Sequence, residues 1–208
     1  MIKIKFTLLV LLSIPLSAET GLYIETALRK KIKKEFLLQN QNFNLNSSFK
    51  TIGFGITKVP FPKKNAILPN YLTSFEFAMG FASEKVSSVL EPSDASFFTF
   101  KAYKGISFPV FSLLPFVSLS VEAQIETYEF KLLNIESQFF SILGSINLGM
   151  LWNFHQSLFL MFRFEYNLVS MDYGFVPEKF QTGNKSYVIN DIESYNQGSL
   201  FFSLGFLF

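Results

Sequence analysis

The residue types in this sequence that could carry out nucleophilic catalysis lie close together: His155 and Ser157 in "HQS", with Glu165 farther along the same run. A serine hydroxyl, an imidazole that takes its proton and a carboxylate that orients the imidazole would form an acyl-transfer set. There is one histidine and no cysteine, so disulfides and thiolate metal sites are excluded. Any metal would have to rest on carboxylates alone. The acidic "NDIES" of Asn190–Ser194 reads as a solvated loop, and no metal ligand or cofactor is assigned.

A second set of charged residues is scattered along the chain: Glu25, Arg29, Glu76, Lys101, Glu122, Glu126, Arg163 and Glu165. Each sits inside a segment whose side chains alternate in character, so the elements that position them are strands. In "SLFLMFRFEYNLV", Leu158, Leu160, Phe162, Phe164, Tyr166 and Leu168 share one face, and Arg163 and Glu165 fall on the other. In "VSLSVEAQIET", Val117, Leu119, Val121, Ala123 and Ile125 oppose Ser118, Ser120, Glu122, Gln124 and Glu126. "YLTSFEFAMGFA" sets Tyr71, Phe75, Phe77, Met79 and Phe81 against Ser74, Glu76, Ala78 and Gly80. The same period runs through "GLYIETALR", "TIGFGIT", "FFTFKAYKGISF", where Lys104 interrupts the apolar face, "FFSILGSINLGMLW" and the terminal "GSLFFSLGFLF". That makes eight strands, with the charged set on the polar faces.

The connections alternate in length as well. Long polar stretches follow the first and seventh strands, with loops expected over 31–46 and 177–196, whereas "NFHQ" and "FPVFSLLP" leave room only for tight turns. The leading "MIKIKFTLLVLLSIPLSA" has two lysines, an apolar core too short to span a bilayer, and small residues at its end. It reads as a secretory signal over residues 1–18, which leaves residues 19–208 as one domain outside the cytoplasm. Eighteen basic residues stand against 16 acidic ones, and removal of Lys3 and Lys5 leaves the remainder formally neutral. There is no basic excess of the kind a nucleic-acid binder gathers.

Alternation is compatible with either a soluble or a membrane barrel, because only the solvent decides which face turns outward. The polar faces here are rich in Ser, Gly, Asn and Thr with isolated charges, unlike a water-facing surface. The apolar faces carry more Phe than a narrow lumen could accept, and Tyr71, Trp152, Phe154 and Phe208 lie near strand ends, as girdle residues do. The expected fold is therefore all-β: an eight-stranded antiparallel up-and-down transmembrane β-barrel. Charges on the lipid face would cost about 2–4 kcal/mol each near the midplane for Lys or Arg. The charged set is accordingly expected to pair across the lumen, with Arg163 joined to Glu122 or Glu165 at its centre.

With its leader, its eight alternating strands and its terminal "LFFSLGFLF", the chain resembles small Gram-negative outer-membrane barrels of the OmpA-barrel or OmpX type over Glu19–Phe208. The resemblance implies an outer-membrane location and a non-enzymatic role, structural or in surface binding and adhesion through external loops. It also implies that Phe202, Leu204, Phe206 and Phe208 form the signal read by the barrel-assembly machinery. The implied partners are outer-membrane lipid, that machinery, and a host or glycolipid ligand at the loops. "HQS" faintly resembles the His-x-Ser of lipid A deacylases, but Leu158 and Phe159 do not continue that pattern and the expected topology places His155 in a periplasmic turn. No catalytic residue is assigned. The basic run at Arg29–Glu35 offers Lys30, Lys31, Lys33 and Lys34 to surface polyanions. A lipid A-modifying enzyme, a narrow pore and a soluble lipocalin-like carrier are the alternatives.

Overall fold

The computed structural model describes residues 18–38, 41–60, 70–83, 94–108, 110–130, 135–177, 186–189, 192–196 and 198–208. The expected leader, apart from Ala18, lies outside these residues. Among the described residues ten strands form: β1 (Ala18–Leu38), β2 (Gln41–Pro60), β3 (Asn70–Ser83), β4 (Asp94–Ser107), β5 (Leu113–Phe130), β6 (Ile135–His155), β7 (Leu158–Pro177), β8 (Ser186–Ile189), β9 (Ile192–Asn196) and β10 (Ser199–Leu207). Strands β1 to β7 pair in sequence order, and β10 closes the sheet by pairing with both β7 and β1, all antiparallel. Eight strands make the wall, and closure leaves it without an exposed edge.

Burial follows the period-2 pattern around the wall. In β10 the residues alternate from buried Ser199 to buried Leu207, with Leu200, Leu204 and Phe206 exposed. The outward rows are apolar: Leu22 and Ile24 on β1, Phe54 and Ile56 on β2, Phe77 and Phe81 on β3, Leu119 and Val121 on β5. Phenylalanines tile this exterior across strands, with Phe77 and Phe100 at 4.9 Å and Phe162 and Phe202 at 5.1 Å between ring centroids. The row from Tyr71 to Phe81 on β3, at the usual rise per residue and a tilt near 40°, covers about 25 Å of height, the span of a transmembrane barrel's apolar band. Apolar outside and polar inside is the distribution of a barrel dissolved in lipid.

At one end of the barrel two of the described connections are tight turns. Between β4 and β5, Phe111 and Ser112 form a tight turn flanked by Val110 and Leu113, which exchange hydrogen bonds of 2.8 and 3.0 Å. Gln156 and Ser157 connect β6 to β7. The start of β1 and the end of β10 lie at this same turn end, where Gly21 pairs with Leu207.

The opposite end departs from expectation. The stretch read as a long loop after the first strand is strand: from Lys30↔Phe49 to Leu38↔Gln41, β1 and β2 pair continuously, a hairpin roughly 25–30 Å long. The described part of β3 meets β2 only over Lys50–Lys58, so the hairpin rises beyond it. Part of the second expected loop, 177–196, is strand too: β8 pairs with Gly174–Pro177 of β7, and β9 with Ile32–Phe36 of β1. The physical reason is visible between Leu22 and Ile52, where neither Gly nor Pro interrupts the chain, so nothing stops the backbone ladder at the barrel rim.

Candidate functional site

The lumen is filled in three layers, each made by inward residues of successive strands. Nearest the turn end is a mainly apolar layer: Tyr23, Leu72, Tyr103, Leu114, Phe116, Leu151, Phe159, Met161 and Leu207, all at most 3 % exposed. Glycines on neighbouring strands make room for its large rings. A Cβ on Gly55 would sit inside the Tyr23 ring, and one on Gly205 inside the Phe159 ring.

The middle layer carries the charges. Adjacent strands place Glu76 beside Lys101 and Lys101 beside Glu122, while Arg163 and Glu165 enter from β7 on the far wall. Lys101 Nζ lies 2.7 Å from Glu165 Oε2, 3.2 Å from Glu122 Oε2 and 3.9 Å from Glu76 Oε1. Arg163 Nη2 donates to Glu25 Oε1 at 2.6 Å and to Glu76 Oε2 at 3.0 Å. All six side chains are at most 2 % exposed. Phe201 stands between the two cations, its ring centroid 4.7 Å from Lys101 Nζ and 4.6 Å from Arg163 Cζ, and Tyr103 covers Arg163 at 4.9 Å. Burial of a charge this deep requires such compensation from counter-charges, hydrogen bonds and ring faces.

Hydroxyl groups tie the first two layers together. Tyr23 Oη donates to Glu76 Oε2 at 3.2 Å and lies 2.9 Å from Ser74 Oγ and 3.1 Å from Tyr103 Oη. Ser203 Oγ donates to Glu25 Oε2 at 2.9 Å, and Thr99 Oγ1 to Glu122 Oε1 at 2.7 Å. The third layer centres on Glu126, which accepts from Gln124 Nε2 at 2.6 Å, Tyr128 Oη at 2.8 Å and Ser141 Oγ at 3.4 Å. The one Ser141 hydroxyl proton is shared with Asp172, which lies closer.

Of the residues singled out in the sequence, Glu25, Glu76, Lys101, Glu122, Arg163 and Glu165 therefore meet in one layer, and Glu126 stands in the next. Arg29 lies on β1 next to a register shift, and its side chain is outside the described residues. The expected partners of Arg163 are corrected: its carboxylates are Glu25 and Glu76, and it is Lys101 that takes Glu122 and Glu165. Sequence reasoning did not find Tyr23, Tyr103 and Phe201. Their only signal was an aromatic side chain on an otherwise polar face.

The other candidates lie apart. His155 ends β6 and Ser157 belongs to the turn, where the Ser157 backbone N–H donates to His155 Nδ1 at 3.4 Å. Glu165 is seven positions up β7, roughly 20 Å away, and bonded to Lys101. The triad geometry is absent. Among the described residues no group of three or more acidic or His side chains could hold a metal ion. Lys30, Lys31, Lys33 and Lys34 lie along the projecting part of β1, in register with Phe49, Ser48, Asn46 and Leu45. Phe202, Leu204, Phe206 and Phe208 form the outward row of the closing strand, with Phe208 66 % exposed.

No family model and no curated protein matches this sequence. Among solved structures, Neisserial surface protein A aligns with a TM-score of 0.56 at 10 % identity, over 91 % of this chain and 97 % of that one. Ail, the attachment invasion locus protein of Yersinia pestis, aligns at 0.45 and 12 % identity, over 93 % and 100 %. The likeness to the first is one of fold, and the fold is a closed, eight-stranded antiparallel barrel.

Proposed function

We propose that this protein is a non-enzymatic barrel of a bacterial outer membrane, exported by a leader cleaved before Glu19, whose projecting β1–β2 hairpin binds polyanions at the cell surface. In this reading the turn end faces the periplasm and the hairpin faces outward. The observation that carries it is the ladder from Lys30↔Phe49 to Leu38↔Gln41. It holds four lysines on a hydrogen-bonded scaffold beyond the barrel rim, flanked by β9. A paired ladder costs less to order on binding than a loose loop would, and phosphate or sulfate groups on glycolipid or host glycans supply the matching charge.

The filled lumen supports a structural role over a pore, since the charged layer is buried and paired. The distance of Glu165 from His155 and Ser157, and its bond to Lys101 instead, support a non-enzymatic protein. The test is retention of the detergent-folded protein on immobilised heparin or lipopolysaccharide. Binding that weakens with salt and is lost in the variant with Lys30, Lys31, Lys33 and Lys34 all changed to Gln is expected. Unchanged retention in that variant would overturn the reading.

A further inference from the structure

Charges on the lipid-facing wall are few. Among residues with described side chains, those facing outward are Lys50, Asp94, Glu129 and Glu136 near the far rim, and Lys58 and Lys104 toward the turn end. The far-rim group is mixed and mainly acidic. The pair toward the turn end is wholly basic, and its members are register partners of one residue. Lys58 on β2 stands opposite Thr73 on β3, and Thr73 stands opposite Lys104 on β4. The two lysines are thus two strands apart, with about 10 Å between their backbones.

Their surroundings are those of a headgroup region. Phe54, Ile56, Phe77 and Phe100, on the same outward rows above them, are exposed. Tyr71, two positions from Thr73 toward the turn end, is 58 % exposed and lies opposite Ile106. Thr73 belongs to the outward row yet is only 5 % exposed, so it forms the floor of the space between its neighbours. Both lysines are half-buried, as expected when long stems lie along apolar wall and carry their ammonium groups toward the interface. Each ammonium group has three N–H donors, so each can offer one to an anionic headgroup beside the contacts it already makes.

We propose that Lys58 and Lys104, with Thr73 between them and Tyr71 below, bind the phosphate of an anionic phospholipid in the leaflet at the turn end. This goes beyond surface binding by the hairpin. Only its assignment to the periplasmic leaflet rests on the orientation proposed above. The lipid's chains lie on the Phe54, Phe75, Phe77 and Phe100 surface, and its phosphate is clamped by charge-assisted hydrogen bonds. Because the site uses both a headgroup and an apolar wall, free phosphate is a poor substitute.

The test is native mass spectrometry of the detergent-folded protein offered phosphatidylglycerol or phosphatidylcholine, with thermal unfolding in symmetric nanodiscs of each composition. Preferential retention of phosphatidylglycerol is expected, reduced roughly thirtyfold in Lys58→Gln/Lys104→Gln, since each basic group near a surface contributes about a factor of five. Lys58→Arg/Lys104→Arg should keep the preference, and Lys50→Gln should leave it intact. Equal retention of both lipids, a preference that survives the Gln pair, or equal protection by inorganic phosphate would each overturn the proposal. Symmetric nanodiscs make the result independent of orientation. The variant with all four hairpin lysines changed should lose heparin binding and keep the lipid, so either idea can fail alone.

Discussion

Lys101 and Glu165 stand on β4 and β7, 64 residues apart in sequence, and meet across the lumen at 2.7 Å. The contact joins opposite walls of the barrel, so it braces the cross-section as well as neutralising charge. Lys101→Met would leave Glu122 and Glu165 buried without their cation, and breaking a buried pair from one side costs about 3–5 kcal/mol. Urea unfolding in lipid vesicles should show that loss. Recovery of most of it in Lys101→Met/Glu122→Gln/Glu165→Gln is expected, because the stranded carboxylates are then neutral. A single variant as stable as the wild type would show that the charges contribute nothing.

Arg163 provides the complementary case. Its Nη2 bridges Glu25 and Glu76, so a double-mutant cycle of Arg163→Met with Glu25→Gln should give a coupling of about 1–3 kcal/mol. The same cycle with Glu122→Gln should couple more weakly. Equal coupling to both carboxylates would mean that Arg163 is shared across the whole layer.

These two contacts mark where the sequence could be read and where it could not. Alternation placed Glu76, Glu122 and Glu165 on inward faces because period 2 is a local property of each strand. Which carboxylate meets which cation depends on the stagger accumulated around the closed wall, including the register shifts at Ala27/Arg29 and Gly144/Ser145, and no single strand encodes it. The hairpin past Lys30 departs from expectation for a different reason. Its lysines and asparagines look like a solvated loop by composition, but Phe36↔Phe43 and Lys34↔Leu45 pair in an uninterrupted ladder. The apolar lumen layer was hidden because Phe159, Met161 and Leu207 share faces with polar residues.

Gly55 tests the packing of that layer. Any side chain there would enter the Tyr23 ring, so Gly55→Ala should destabilise the barrel by about 1–3 kcal/mol through overpacking. Adding Tyr23→Leu, which removes the ring, should make the pair less than additive. Full additivity in thermal unfolding would mean that the two positions do not touch.

The β4–β5 turn holds its own strain. Phe111 has φ of 58°, a region that favours glycine at the first position of a two-residue hairpin turn, and its side chain is 97 % exposed. Phe111→Gly should therefore stabilise the folded barrel by about 1 kcal/mol. Lost stability would instead show that the exposed ring makes a contact, with lipid or protein, that outweighs the backbone cost.

The closing strand allows folding and assembly to be separated. Phe208 donates its N–H to Thr20 O at 3.0 Å and leaves its ring on the outer wall, so deletion removes one hydrogen bond and a girdle contact, about 1–2 kcal/mol together. Refolding of the variant into vesicles should fall only by that amount. If Phe202, Leu204, Phe206 and Phe208 are the row read by the assembly machinery, insertion in cells should fall much further than refolding does. Fractionation of membranes together with boiled and unboiled gel mobility measures both. Proportionate losses in the two assays would make Phe208 an ordinary girdle residue, whereas a deficit confined to cells would assign the outward row of β10 a second reader besides lipid.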